Sequence, residues 1–154
     1  MSERTLHLVS IVIQLFNYST HREQVGILWK ESFGYKTAHN RPDLVIDKKL
    51  AVNDRLFFVA LADAEVVGTI MAGYDGHRGW IYSVAVHPKR RKQGIGSKLV
   101  SHAEQALTEL GCMKINLQIA EGNEAVAGFY ASLGYSEERR VSMGKRIPEN
   151  IPGA

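Results

Sequence analysis

Cysteine is nearly absent from this chain: Cys112 stands alone among 154 residues. An internal disulfide framework is thereby excluded, and a reducing compartment, the cytoplasm, is the expected setting. Long apolar runs are missing as well. The best candidate, Leu6–Phe16, is too short to span a bilayer and is interrupted by His7, Ser10 and Gln14. It also lacks a basic n-region followed by a small-residue cleavage site, so neither a signal peptide nor a membrane association is expected. No internal repeat, low-complexity tract or linker breaks the chain, and only Pro148–Ala154 reads as a tail. No metal requirement emerges from the residue pattern. What remains is ordinary for a globule, with 45% hydrophobic and 23% charged residues. One domain covering residues 1–154 is the expectation.

The charge is mildly basic, at +3 with a pI near 9.0, and it is unevenly spread. Lys89, Arg90, Arg91 and Lys92 follow directly on the apolar run Val84-Ala85-Val86 and the pair His87-Pro88. Gln93, Gly94, Ile95, Gly96 and Ser97 then open a long amphipathic pattern. A helix start leaves backbone N–H groups without partners and carries the positive end of the macrodipole. Glycines at 94 and 96 remove Cβ atoms that would hold a bound group away from those N–H groups. The product is a pocket for pyrophosphate or a similar polyanion. A basic patch for nucleic acid is the competing reading. It has no interleaved aromatics and no reader motif, and one polyphosphate ligand accounts for the same charges, so no nucleic-acid partner is expected.

Spacing narrows the ligand. The dinucleotide pattern G-x-G-x-x-G fails because Leu99 stands at its third glycine, and the nucleotide P-loop pattern has no upstream match. The pattern that fits is Arg91-x-x-Gly94-x-Gly96. A second run, Asn123-Glu124-Ala125-Val126-Ala127-Gly128-Phe129-Tyr130-Ala131-Ser132-Leu133-Gly134-Tyr135, supplies a candidate N-cap at Asn123 and a helix stop at Gly134. Between them Val126, Phe129, Tyr130 and Leu133 share one helical face.

Other elements follow from periodicity and turn chemistry. Strands are expected at Val9–Phe16, Leu56–Leu61, Glu65–Tyr74, Trp80–Val86 and Met113–Ile119, and a final hairpin at Tyr135–Ile147. Helices are expected from the Ser19 cap to Gly34, from the Asp43 cap to about Ala51, and over Gly94–Leu110. Ala62-Asp63-Ala64 and Asp75–Gly79 are turns. Trp80–Val86, the long helix and Met113–Ile119 form a βαβ unit with parallel strands. The polyanion pocket thus falls at the carboxyl end of a strand, where open α/β sheets bind ligands.

Together the two motifs resemble the signatures [QR]-x-x-G-x-[GA] and N-x-x-A-x-x-F-Y-x-x-L-G-[FY] of the GNAT superfamily of acetyl-CoA-dependent N-acetyltransferases. Gly128 departs slightly from the second. The segment Gly73–Gly79 resembles the bacterial YpeA-like branch, and the strand-end pattern resembles, more distantly, the ribosomal-protein alanine acetyltransferases. The resemblance implies an α/β (α+β) GNAT fold: one mixed sheet of about six or seven strands, helices on both faces and a splayed parallel pair.

It further implies direct acetyl transfer from acetyl-CoA to a primary amine in a ternary complex. The acceptor would be a small amine, an amino acid or a protein N-terminus, with a homodimer left open. A non-catalytic acyl-CoA sensor is the alternative. Cofactor contacts would come from Val84, Val86, Arg91, Lys92, Gln93, Gly94, Ile95, Gly96, Ser97, Asn123 and Tyr130. The Val84 N–H would polarise the thioester carbonyl, and Tyr130 would protonate the leaving thiolate. Where many relatives carry a catalytic Glu, this chain has Trp80 and Gln118, so Asp75, His77, His87, Glu121 or a water remain as candidates for the base. Trp29, Phe33, Tyr35, Tyr74 and Tyr82 are candidate walls of the acceptor site.

Overall fold

A computed structural model describes residues 10–34 and 37–153. Its centre is a five-stranded sheet in the order β1-β2-β3-β4-β5, formed by β1 (Ile11–Leu15), β2 (Phe57–Ala62), β3 (Glu65–Tyr74), β4 (Gly79–Val86) and β5 (Ile115–Asn116). The first four strands run antiparallel in sequence, and β5 lies parallel to β4. The βαβ unit is therefore present. Both faces of β2 are buried, which explains its unbroken apolar run. Phe57 and Val59 meet α1 (Tyr18–Phe33) and α2 (Pro42–Val52) through Val25, Leu28, Trp29 and Ile46. Phe58 and Ala60 meet α3 (Ile95–Glu109) through Ile95, Leu99, Ala103 and Leu107, and the half-buried Phe129 and Tyr130 of α4 (Val126–Ser132) pack on that layer.

Several boundaries differ from the sequence expectation, each for a local reason. Asn17, rather than Ser19, caps α1: its Oδ1 accepts from Thr20 N–H at 3.0 Å, while its own N–H donates to His21 Nδ1 at 2.9 Å. Burial lowers the His21 pKa, which keeps this nitrogen a free acceptor. Pro42 occupies the first turn of α2, so that helix begins before Asp43. Val9, at the head of the expected first strand, lies outside the described residues.

Among the described residues the sheet has five strands instead of six or seven. No strand forms within 135–147, where Val141 and Met143 are 89% and 91% exposed amid charged neighbours. Beyond Tyr135 the apolar side chains of that segment find no surface to pack on, so burial does not offset the entropy of ordering it into a ladder. Side chains tether it instead: Lys114 Nζ donates to Glu138 Oε1 at 2.8 Å, and Gln118 Nε2 to Ser142 Oγ at 2.7 Å. The fifth strand is also shorter than Met113–Ile119. It pairs with β4 only at Gly79↔Ile115 and Trp80↔Asn116, after which the two chains part. This parting is the expected splay.

β4 carries one extra residue. Thr69 faces Ala85 and Met71 faces Tyr82, so the ladder slips between them, and Ser83 adopts φ 51. The fully buried Thr69 hydroxyl holds the bulge, accepting from Trp29 Nε1 at 2.8 Å and donating to the Ser83 carbonyl at 2.9 Å. Thr69→Val keeps the shape but strands both partners. Each unsatisfied buried group costs about 1–3 kcal/mol, so a loss of roughly 2–6 kcal/mol is expected in urea unfolding. Thr69→Ser should restore most of it.

Candidate active site

Where β4 and β5 part, a cleft of about 990 Å³ opens. Residues 80–86 of β4 form one wall, and Leu117, Gln118, Ile119 and Ala120 form the other. The start of α3 closes one end with Arg90, Arg91, Lys92, Gly94, Ile95, Gly96 and Ser97. Asn123, Val126, Phe129 and Tyr130 cover it from α4 and its approach, and Ser32 and Phe33 reach it from the end of α1. The cleft thus gathers every expected cofactor residue except Gln93, which is exposed and does not line it. A smaller hollow of about 420 Å³ between α1 and α2 holds none of the motif residues.

The α3 start is built to receive an anion. Its cap position is Gly94, in the left-handed conformation at φ 75, and no side chain caps the helix. Lys98 N–H is the first to find a helical partner, on the Gly94 carbonyl at 3.1 Å. The N–H groups of Ile95, Gly96 and Ser97 precede it and have no carbonyl one turn back to bond. No acidic residue stands in this turn, while three cations line the adjoining end of the cleft. A short 3-10 turn at Pro88–Arg90 carries the chain into this loop, with His87 Nδ1 accepting from Lys89 N–H at 3.1 Å.

The two glycines of the first motif have different jobs. Nothing lies within 4 Å of a Cβ at Gly94, so its role is conformation and open access. A Cβ at Gly96 would stand 3.1 Å from the Phe129 ring. Gly96 therefore lets α4 settle on the first turn of α3, a contact between the two motifs that sequence spacing did not reveal. The other end of α4 is held by Tyr135, whose hydroxyl donates to Glu104 Oε2 on α3 at 3.0 Å. Burial first, then this bond, raises the Tyr135 pKa far above its usual value.

Tyr130 sits between these anchors, edge-on to Phe129 at 4.9 Å and to Tyr135 at 5.9 Å. Its ring is half-buried, its pKa is raised by burial, and its hydroxyl has no hydrogen-bond partner among the described residues. The expected face of α4 is observed: Phe129, Tyr130 and Leu133 pack inward, and Val126 lines the cleft. Asn123, however, does not cap that helix. Ala125 occupies the cap position, and the Asn123 carbonyl accepts from Val126 N–H at 3.2 Å, one turn early.

None of the four side chains considered as a base lines the cleft. Asp75 Oδ1 accepts from the N–H groups of Arg78 and His77, both at 2.7 Å, and these bonds lower its pKa. His77 and Glu121 are exposed elsewhere, and His87 is engaged with Lys89. Among the described residues lining the cleft there is no Asp, Glu or His. Of the expected acceptor walls, Phe33 and Tyr82 line the cleft, while Trp29 is buried beneath the sheet and Tyr74 bonds its hydroxyl to the Gly76 carbonyl at 3.2 Å. Tyr35 lies outside the described residues. Trp80 and Ser32 join the wall; the alternation Trp80-x-Tyr82 was the one available sign of the former.

The sequence model of the Acetyltransferase (GNAT) family matches residues 22–135. An acetyltransferase of Yersinia pestis is 39% identical over 125 residues, 81% of this chain and 88% of that protein. Among solved structures, Ard1 of Thermoplasma volcanium superposes with a TM-score of 0.75 at 22% identity, over 85% of this chain and 86% of the other. The aminoglycoside N-acetyltransferase AAC(6')-Iy in complex with CoA reaches 0.74 at 19% identity, over 92% and 98%. These two share the fold.

The glycines can be separated by experiment. Gly94→Ala forces a side chain into a left-handed cap, a strain of about 1–2 kcal/mol, but creates no contact within 4 Å. Gly96→Ala pushes on Phe129 and should loosen α4, exposing Tyr130. Melting temperature and the shift on adding coenzyme A, measured together, should show a mild loss of stability for both. The coenzyme A shift should survive in Gly96→Ala better than the rate of acetyl transfer does.

Proposed function

The chain belongs to the Acetyltransferase (GNAT) family, and from that premise we propose that it moves the acetyl group of acetyl-CoA onto a primary amine by direct transfer in a ternary complex. The acceptor is a small amine, an amino acid or a protein N-terminus. The observation that carries this reading is the uncapped, carboxylate-free start of α3 at one end of a cleft that Tyr130 also lines, its hydroxyl without a partner among the described residues. The N–H groups of Ile95, Gly96 and Ser97, with Arg91 and Lys92 beside them, suit the pyrophosphate. Gln93 is exposed and does not line the cleft, so no contact is assigned to it. Val84 and Val86 lie on the stretch of β4 that β5 leaves unpaired, so the amide-bearing arm of the cosubstrate fits there as an added strand. Asn123 flanks the same channel.

In the reaction an ammonium group first gives one proton to water. The nitrogen lone pair then attacks the acetyl carbon, and the carbonyl oxygen charge is met by the N–H of Val84. The carbon–sulfur bond breaks, Tyr130 gives its proton to the departing thiolate, and the second nitrogen proton returns through water to Tyr130. Products are the amide, free thiol and one proton. Burial raises the Tyr130 pKa from its ordinary value, so the phenol carries its proton at neutral pH and has it to give. That no carboxylate or imidazole stands among the described residues lining the cleft supports water as the route for the first proton.

Thiol release from acetyl-CoA with a panel of amines tests the reading. Tyr130→Phe should lower turnover about 10²–10⁴-fold while leaving stability and coenzyme A affinity almost unchanged, since the hydroxyl has no protein partner to lose. Wild-type turnover in that variant would remove Tyr130 from the chemistry.

A second test is the pH profile. Without an enzyme base, log kcat/KM should climb with a slope of about one through neutral pH and bend only at the acceptor's own pKa. Acceptors of different pKa should shift the bend. A bend fixed near pH 6–7 for all acceptors would reveal a titrating protein group instead.

A further inference from the structure

The cleft is chemically lopsided. Its cations, Arg90, Arg91 and Lys92, all belong to the stretch before α3, and among the described residues no Asp or Glu lines it. Across β4 from that loop lies a shelf of aromatic rings. Trp80 and Tyr82 stand two residues apart, with centroids 6.3 Å apart and planes inclined by 20°. Tyr82 is 48% exposed, and Phe33 at the end of α1 is 51% exposed on the same cleft. Ser32, next to Phe33, also lines it, and its buried Oγ has no hydrogen-bond partner among the described residues. Exposed rings facing a cleft beside an unsatisfied hydroxyl describe a surface that is finished by a ligand.

Charge decides the kind of ligand. The nearest negative field on the shelf is that of Asp75, which raises the Tyr82 pKa after burial has done so. One of its carboxylate oxygens already serves two backbone N–H groups. A polycation would bring its extra charges toward Arg90, Arg91 and Lys92 with nothing to neutralise them. A flat apolar body, in contrast, gains stacking area on Trp80 and Tyr82, and an ammonium group gains attraction to the ring faces until it is deprotonated.

We infer that the shelf of Phe33, Trp80 and Tyr82 is an acceptor subsite for a single primary amine carried on an aromatic or similarly flat apolar body, with no second cation. This rests on the acetyl-transfer reading above, and the test separates the two. Thiol release is measured with 2-phenylethylamine, spermidine, kanamycin and an alanine-initiated peptide, alongside the emission of Trp80 titrated with each amine. Phenylethylamine should exceed both polycations at least tenfold in kcat/KM. Tyr82→Ala should raise its KM about tenfold with coenzyme A affinity unchanged, and Tyr82→Phe should restore it. The emission change should saturate with phenylethylamine and vanish in Trp80→Phe. Preference for spermidine, kanamycin or the peptide, or an unchanged KM in Tyr82→Ala, overturns the subsite. Saturable Trp80 binding without thiol release leaves the subsite standing and overturns acetyl transfer, whereas absence of both overturns the subsite.

Discussion

The buried hydroxyl of Thr69 decides which way β4 faces. An even-numbered series, Trp80, Tyr82, Val84 and Val86, would put all its side chains on one side of an ideal strand. The extra residue at Ser83 divides that series. Before it, Ile81 faces α3, so Trp80 and Tyr82 face the α1 side; beyond it, Val84 and Val86 pack toward α3 and Ala85 takes the α1 side. A single inserted residue thereby makes an aromatic wall and an aliphatic wall from one strand. Holding Ser83 at φ 51 is unfavourable for a residue with a Cβ, and the Trp29–Thr69–Ser83 hydrogen bonds stabilise it. The bulge follows the last β4–β5 pair, Trp80↔Asn116, on the stretch of β4 that lines the cleft.

The second constraint is the way α4 sits on α3. Phe129 rests against Gly96 at one end, and Tyr135 bonds Glu104 at the other. A seven-residue helix has little stability of its own, so these two contacts set its position. Tyr130 lies between them with its ring held edge-on and its hydroxyl without a partner among the described residues. Its orientation is thus supplied by ring contacts, which leave the hydroxyl available for the role proposed above.

Much of this was legible in the sequence, and the failures share a cause. The anion-binding turn, the long α3 helix, the α4 face and the parallel strand pair are all local patterns: a helix start with glycines, a repeat of apolar spacing, a stop residue. The bulge left no such mark, because Val84, Ala85 and Val86 are apolar on both faces and alternation cannot detect a skipped register. The Gly96–Phe129 contact joins residues far apart in the chain, so spacing within either motif was silent about it. The expected hairpin at Tyr135–Ile147 was extrapolated from a strand-like start at Tyr135. Charged residues follow it, and only side-chain tethers hold that segment beside residues 114–118.

The distribution of parts over the molecule has a mechanistic consequence. The α3 start and Tyr130 belong to one packed unit, α3 with α4. The aromatic shelf belongs to β4 and the end of α1, on the other side of the Thr69 bulge. On the acetyl-transfer reading proposed above, cosubstrate binding and acceptor selection would therefore fall to different walls of one cleft. Changes in Phe33, Trp80 or Tyr82 alter which amine is presented without disturbing α3, while the backbone N–H groups at the helix start stay the same whatever side chains surround them. A scaffold divided in this way would let the acceptor be changed by a few side chains, because the left-handed cap at Gly94 lies away from the aromatic wall and the Trp29–Thr69–Ser83 relay beneath β4 serves both walls alike.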